Sequence, residues 1–290
     1  MSDPGFFSQA VTSSGFLPRK SLGQNFLVDQ RMIARMVKAC EFSLSDTVLE
    51  IGPGQGALTF VILPLVRQII AVETDIRLAE QLSVGHPPEK LKVIHKDFLK
   101  YDFSDLAPPL RLAGNLPYYI STPIMLKFLE QRRLFTDFHF TVQLEFGQRL
   151  VATPGTKDYS SLTCFVNYFT EPTLLFNIPN SAFRPAPKIK SCFMRLKVRP
   201  QPLHRVSDEP FFLNLVRLSF LQRRKMLINT LSSLNTRLQL TTAFEKAAIP
   251  LTVRAEELTV EQFALLSNQL AKLHSSSNKF RSNTSFLTDE

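Results

Sequence analysis

A chain of 290 residues with 44% hydrophobic content can bury a full core, and its proportions are those of a soluble globular protein, not of a disordered or membrane-spanning one. Its three cysteines (Cys40, Cys164 and Cys192) are far apart, odd in number and without metal-ligand spacing, which argues against a disulfide framework or a metal site and predicts buried thiols in a reducing cytoplasm. The formal charge of +9 is unevenly spread: residues 172–244 carry twelve Lys or Arg against two acids, Asp208 and Glu209, an asymmetry that suits a polyphosphate partner and, on charge alone, equally a solvated, solubilising surface.

The first twenty residues, with Ser, Gly and Pro among a few aromatics, are expected to be loose and lack the basic-then-apolar pattern of a signal peptide. A helix is predicted over residues 29–40, with Ile33, Met36 and Val37 on one face. Short apolar strands come next at 47–51, 68–72, 91–94, 110–113 and 138–144, with helical stretches between most of them. This alternation predicts a doubly wound, mainly parallel α/β sheet. The longest apolar run, 58–66, is broken by Pro64 and too short to cross a membrane. Near Thr173 the pattern changes. Residues 174–178 and 192–198 read as strands joined by a Pro-rich connector with no room for a crossover helix, which predicts an antiparallel pair at the end of the sheet. Beyond Pro200 and Pro202 the chain turns helical, at 211–221, 224–234, 242–247 and 260–273. The expected organisation is a large α/β domain over 1–203, a small helical domain over 204–274, and a Ser/Asn-rich tail over 275–290 expected to be disordered.

The first strand runs into Glu50-Ile51-Gly52-Pro53-Gly54-Gln55-Gly56, with a helix expected next. Glycines there let the backbone turn sharply and let a ligand lie against it. Glu73 closes the second strand, placed to accept bonds from ribose hydroxyls, and Asp97 closes the third, placed to accept from an adenine amino group. Gly52, Gly54 and Ala57 also satisfy the dinucleotide pattern, so a nicotinamide-dependent dehydrogenase and a glycine turn needed only for packing both remain open. Two features favour S-adenosylmethionine: the acid Glu50 just ahead of the glycines, which resembles the arrangement in class I methyltransferases, and the segment delivered beside the same cleft by the fourth strand.

That segment is Asn115-Leu116-Pro117-Tyr118. Adenine N6 is a poor nucleophile because its lone pair is delocalised into the ring. An amide oxygen at Asn115 and a backbone carbonyl near Leu116 can each accept one N6 hydrogen and localise the pair. Pro117 fixes the turn, and Tyr118 can stack on the base. Positioning then supplies most of the catalysis. Alone, the four residues read more readily as a plain turn with a partly buried tyrosine than as a site; behind a strand and after a glycine turn the order of the two readings is reversed.

From about residue 20 to 270 the chain resembles the KsgA-type rRNA adenine dimethyltransferases, relatives of the Erm methyltransferases. Lys20-Ser21-Leu22-Gly23-Gln24-Asn25-Phe26-Leu27 resembles the family's N-terminal cofactor motif and Asn115-Leu116-Pro117-Tyr118 its catalytic motif. Ser181-Ala182-Phe183-Arg184-Pro185-Ala186-Pro187-Lys188 resembles a later motif, while Gln222-Arg223-Arg224-Lys225 and Arg254-Ala255-Glu256-Glu257-Leu258 are similar to KsgA rather than to methyltransferases in general. Two positions depart from the pattern: Leu144 stands where Lys is usual, and Lys190 where an acid is common.

The resemblance implies a class I S-adenosylmethionine-dependent methyltransferase, Rossmann-like, mainly parallel with an antiparallel strand pair, and a small helical C-terminal domain. It implies Asn25, Leu27, Gly52, Gly54, Glu73, Asp97 and Asn115 at the cofactor, and Phe183 over the second face of the target base. The implied reaction puts two methyls on N6 of each of two adjacent adenines in the 3′-terminal hairpin loop of 16S rRNA, in the assembling 30S subunit, by a cytoplasmic monomer. An Erm-like enzyme for large-subunit rRNA and an assembly factor acting by RNA binding alone remain as alternatives.

Overall fold

The structure is a computed structural model and describes residues 23–275. Lys20, Ser21 and Leu22 of the N-terminal motif, the first twenty residues and the tail from 276 on lie outside the described residues, so the expectations placed there stand as expectations.

Strand β1 (Phe26–Leu27) leads into helix α1 (Gln30–Cys40). The helix starts where the Asp29 carboxylate accepts from the backbone amides of Arg31 and Met32, and ends at Glu41 in the left-handed region (φ 52°). Ile33, Met36, Val37 and Cys40 are its buried residues, the predicted face extended by one turn. Strands β2 (Thr47–Ile51), β3 (Gln68–Glu73), β4 (Leu91–His95), β5 (Leu110–Asn115) and β6 (Phe135–Gln143) form the parallel body of a seven-stranded sheet. Strand β2 is buried at every residue, which is why it reads as an unbroken apolar run with one acid in it. Between the strands lie α2 (Thr59–Ile62), α3 (Ile76–Ser83) and α4 (Ser121–Glu130). The helix after the glycine turn is thus a single turn; with Pro64 in the chain, the next three residues, Leu63–Leu65, form a 3-10 turn.

The strand predicted at 138–144 begins earlier, at Phe135, and stops at Gln143. Leu144 instead opens α5 (Leu144–Leu150), its amide bonded to the Lys190 carbonyl. After α6 (Ser161–Phe169) come β7 (Thr170–Ile178), β8 (Phe183–Arg184) and β9 (Ser191–Val198). Strand β9 runs antiparallel to β6, and β7 is the edge strand beyond it, so the antiparallel element falls at the end of the sheet as expected. The sheet order β4-β3-β2-β5-β6-β9-β7 reverses direction between β2 and β5. That reversal leaves a crevice at their carboxyl ends.

The remaining helices are α7 (Glu209–Phe220), α8 (Leu227–Thr230), α9 (Arg237–Lys246) and α10 (Val260–Ser275). Two depart from expectation. The helix predicted over 224–234 shrinks to α8 and a 3-10 turn. Arg223 is drawn instead to the Glu256 carboxylate (2.8 Å) and the Lys157 carbonyl (2.9 Å), and these tertiary bonds outweigh the helix propensity of the Arg-Arg-Lys run. Helix α9 starts before 242 because Thr236 and Gln239 form a capping box.

The chain divides into two units. One comprises residues up to Gly147 with Thr173–Val198; the other comprises Gln148–Pro172 with the chain from Arg199 onward. A single cut at 203 is therefore replaced by a discontinuous one. Helix α6 packs against α7 and α10, where Tyr168 stacks near Phe212 at 4.5 Å between ring centroids, so 148–172 belongs with the helices and not with the sheet.

Candidate active site

The crevice at the ends of β2, β3 and β5 has a volume of about 320 Å³, within the range of about 300–1,000 Å³ for small-molecule sites. Its floor is the glycine turn. Gly52 and Gly54 both sit at φ +60°, and a Cβ on Gly52 would meet no atom within 4 Å, because the space beside it is the cleft. A Cβ on Gly54 would lie 3.0 Å from the Phe26 ring.

The amides of this turn are already committed. Gly52 N donates to Val72 O (2.9 Å), Gly54 N to Glu73 Oε2 (3.0 Å) and Gly56 N to Pro53 O (2.9 Å). A pyrophosphate held on a glycine turn needs such amides free and a helix N-terminus behind them. Here the glycine amides are spent, the helix is one turn long, and the carboxyl groups of Glu50 and Glu73 stand beside the turn. This disfavours the dinucleotide reading and suits a cationic sulfonium and ammonium.

Glu50 is 1% exposed, and its Oε2 accepts from the Thr59 hydroxyl at 2.8 Å. Burial lifts its pKa from 4.5 to about 7, against the Thr59 bond and with help from Glu73. The folded ligand-free protein therefore binds a proton at Glu50 that the unfolded chain has released between pH 4.5 and 7. The contribution of this group to stability is fully present below pH 4.5 and is lost as pH rises through 7, by about 3 kcal/mol. Glu50→Gln, which keeps an acceptor for Thr59, is expected to recover most of that loss. Urea unfolding should show the variant more stable than the unaltered protein at pH 8.5, with the gap narrowing as pH falls from about 7 and nearly closed by pH 4.5.

Glu73, at the end of β3, is 4% exposed and bridges the amides of Gly54 and Asp75 (2.9 Å) through its two oxygens. Burial raises its pKa, opposed by those amides. Asp97 caps the 3-10 turn Phe98–Lys100 by accepting from Leu99 N at 2.9 Å, and it lines the cleft with Asn25 and Leu27. The Asp97 segment is held by Lys127, a residue with no motif to mark it in the sequence. Lys127 of α4 is 9% exposed; its Nζ donates to Leu99 O (2.8 Å) and Tyr101 O (2.6 Å) and stands 4.7 Å from the Phe103 ring centroid. Burial lowers its pKa. The one visible signal is a lysine set between Met125 and Phe128 on a helix that is otherwise apolar on that side. Lys127→Met should cost about 2–6 kcal/mol, because two carbonyls lose their donor at roughly 1–3 kcal/mol each. Denaturant unfolding at neutral pH measures it.

Across the cleft stands Asn115, last residue of β5. Its Nδ2 donates to the Asn25 carbonyl at 2.9 Å. A carbonyl only accepts, so the amide orientation is determined, and Oδ1 faces away with no donor among the described residues. Leu116 N donates to Thr141 O (3.2 Å) and its side chain is buried, whereas its own carbonyl has no donor among the described residues. The Pro117 carbonyl is already taken by Ile120 N (3.3 Å) and Ser121 Oγ (3.3 Å). The turn thus presents two unclaimed acceptors, Asn115 Oδ1 and Leu116 O. Tyr118 lines the cleft, and its hydroxyl is pinned to Ser191 Oγ at 2.6 Å; burial raises its pKa and keeps the phenol neutral.

Phe183 is not brought to this cleft. It is wholly buried, because β8 pairs antiparallel with β1 in the register Leu27↔Phe183, which seats the ring in the core cluster that also contains Ile33 and Met36. The expected second wall over a base is therefore not formed by Phe183 in this structure. What the Phe183 segment does is anchor Phe26–Leu27, and with them the carbonyl that orients Asn115.

In the other unit, Arg223–Glu256 joins the two C-terminal segments that stood out in the sequence, leaving Arg224 and Lys225 exposed. No helix of the described residues is long and apolar enough to cross a membrane.

The chain is similar to known proteins over most of its length. The ribosomal RNA small subunit methyltransferase A of Moorella thermoacetica is 38% identical over 282 residues, covering 92% of this chain and 97% of the relative. Among solved structures, a dimethyladenosine transferase from Plasmodium falciparum superposes with a TM-score of 0.72 at 27% identity, over 83% of this chain and 95% of that one. The 23S rRNA methyltransferase ErmE superposes with a TM-score of 0.65 at 30% identity, over 85% of this chain and all of that one. Residues 15–272 match the family described as ribosomal RNA adenine dimethylase, and the chain belongs to that family.

Proposed function

We propose that the protein transfers methyl groups from S-adenosylmethionine to N6 of two adjacent adenines in the 3′-terminal hairpin loop of small-subunit rRNA, giving N6,N6-dimethyladenosines during subunit assembly. The observation that carries this reading is the pair of unclaimed acceptors, Asn115 Oδ1 and Leu116 O, beside a cleft whose far end is a carboxylate-rich glycine turn. Gly52 leaves room for the cofactor, Gly54 lets the turn pass close to Phe26, Glu73 takes the ribose hydroxyls, Asp97 takes the adenine amino group, and Asn25 and Leu27 close the near side. The bound cofactor supplies an electrophilic methyl: an N–C bond forms as the S–C bond breaks, and N6 then releases a proton to solvent.

The chain's own residues do the rest. Asn115 Oδ1 and Leu116 O accept the two N6 hydrogens, which turns the lone pair out of conjugation and toward the methyl. Pro117 holds the turn, and Tyr118 stacks on the base. An N6 so held needs no strong general base. The basic stretch within 172–244 holds RNA by phosphate contacts, with affinity that falls steeply as salt rises. A target in a hairpin loop leaves its stack at less cost than one in a duplex. Such a substrate places the protein in the cytoplasm, and a monomer suffices for the chemistry.

The test is incubation with labelled S-adenosylmethionine and under-methylated small subunits, with nucleoside analysis of the RNA. Label is expected in N6,N6-dimethyladenosine of small-subunit RNA. Label confined to large-subunit RNA would replace this substrate with an Erm-like one, and RNA binding with no transfer would leave an assembly factor.

A further inference from the structure

The fold leaves one large aromatic ring at the mouth of this cleft uncovered. Tyr119 is 61% exposed and lines the cleft. Its neighbour Tyr118 is half-buried and tied to Ser191. Both belong to the 3-10 turn Tyr118–Ile120, in which successive side chains point about 120° apart. A Tyr-Tyr pair on such a turn sends its rings to two different places. The Tyr119 ring is also backed on one side. A Cβ on Gly23 would lie 3.1 Å from its Cδ1 and 3.2 Å from its Cε1, so Gly23 has just the room that the ring needs. The turn beneath it is closed by the Ile120 and Ser121 bonds to Pro117 O. The result is a ring supported along one side, open to solvent elsewhere, and one residue from the tyrosine assigned to the target base.

We propose that Tyr119 is a stacking platform for the nucleotide adjoining the target adenine. This rests on the reading of the cleft as an RNA adenine methylation site. When a base leaves its stack to enter the cleft, the nucleotide beside it loses a stacking partner. An aromatic face fixed at the mouth replaces that partner, whatever the base, because every base has a π-face. Where two adjacent adenines are modified, the platform holds the second while the first reacts. It thereby selects a loop with a free neighbour over an adenine held within a duplex.

The experiment uses the full chain and a synthetic RNA hairpin in which 2-aminopurine replaces the nucleotide beside the target adenine. The protein has no tryptophan, so the probe's emission is read without interference from that source. Binding of the unaltered protein is expected to quench the probe. Tyr119→Ala should lose that quenching and raise the KM for RNA roughly 5- to 150-fold, the span for alanine replacing a base-stacking aromatic, while kcat at saturating RNA and the cofactor Kd stay unchanged. Tyr119→Phe should keep both quenching and KM. Quenching and KM in Tyr119→Ala equal to those of the unaltered protein overturn the proposal. So does a change confined to the cofactor Kd, which would make the ring a wall of the cofactor site through Gly23. Failure of the site reading is a separate outcome: the unaltered protein would then transfer no methyl to adenine N6 of any RNA.

Discussion

Asn115→Ala is expected to lower kcat about 100- to 1,000-fold, the cost of removing one preorganised polar group aimed at the reacting atom, with RNA binding retained. Asn115 does two things with one side chain. Its Nδ2 is bound to Asn25 O at 2.9 Å, and that bond leaves Oδ1, which has no donor among the described residues, as the atom available to a target amine. Alanine removes the acceptor and leaves Leu116 O as the sole partner for two N6 hydrogens, so the lone pair stays in conjugation. Asn115→Asp should fare no better, because a carboxylate has no donor for the Asn25 carbonyl and loses its orientation. Single-turnover transfer and an RNA filter-binding assay, run side by side, measure the two halves of the expectation. Transfer by Asn115→Ala at the unaltered rate would remove this residue from the mechanism. Loss of RNA binding together with transfer would mean that the variant has disturbed the fold and not the chemistry.

Gly52→Ala is expected to abolish tight cofactor binding while leaving a folded protein. The residue sits at φ +60°, where an L side chain costs about 1–2 kcal/mol. No atom lies within 4 Å of the added Cβ, so the fold itself has nothing to clash with; the methyl occupies cleft space instead. A loss of about 100-fold in cofactor affinity corresponds to about 3 kcal/mol of lost contacts and strain. Gly54→Ala is the control with the opposite signature. Its Cβ strikes the Phe26 ring at 3.0 Å, and Phe26 belongs to the strand that anchors Asn25, so stability and binding should fall together. Calorimetric titration with S-adenosylmethionine and thermal unfolding of both variants separate the cases. Unchanged affinity in Gly52→Ala would place the cofactor away from the glycine turn.

The parallel strands are legible in the sequence because a strand buried on both faces reads as a short apolar run, and 47–51 and 68–72 can be little else. Leu144 is misassigned for the same reason: an apolar residue after a strand carries no mark of where the ladder stops, and the Lys190 carbonyl that starts α5 is far away in the chain. The start of α9 does carry a local mark, the Thr236 and Gln239 pair, although the apolar pattern alone places it later. The placement of 148–172 with the helical unit is not legible, since the local pattern of α6 suits packing on a sheet as well as on helices.

At the site, glycines, carboxylates and the Asn-Leu-Pro-Tyr segment are chemical types whose use is restricted by backbone freedom, charge or hydrogen-bonding capacity. Order and spacing were therefore enough to point Gly52, Glu73, Asp97 and Asn115 at one cleft, and the resemblance they carry added Asn25 and named the family. Aromatic residues carry no such restriction. Phe183 and Tyr119 are both rings near motifs, and only the tertiary structure put the first in the core, through its register with Leu27, and the second at the cleft mouth, against Gly23. The tertiary structure also decided which acceptors stay free, because a carbonyl's availability depends on donors that arrive from elsewhere in the chain: Pro117 O is claimed and Leu116 O is not. Sequence determined the kinds of group this protein brings to its chemistry; long-range packing determined which of them face the reacting atoms.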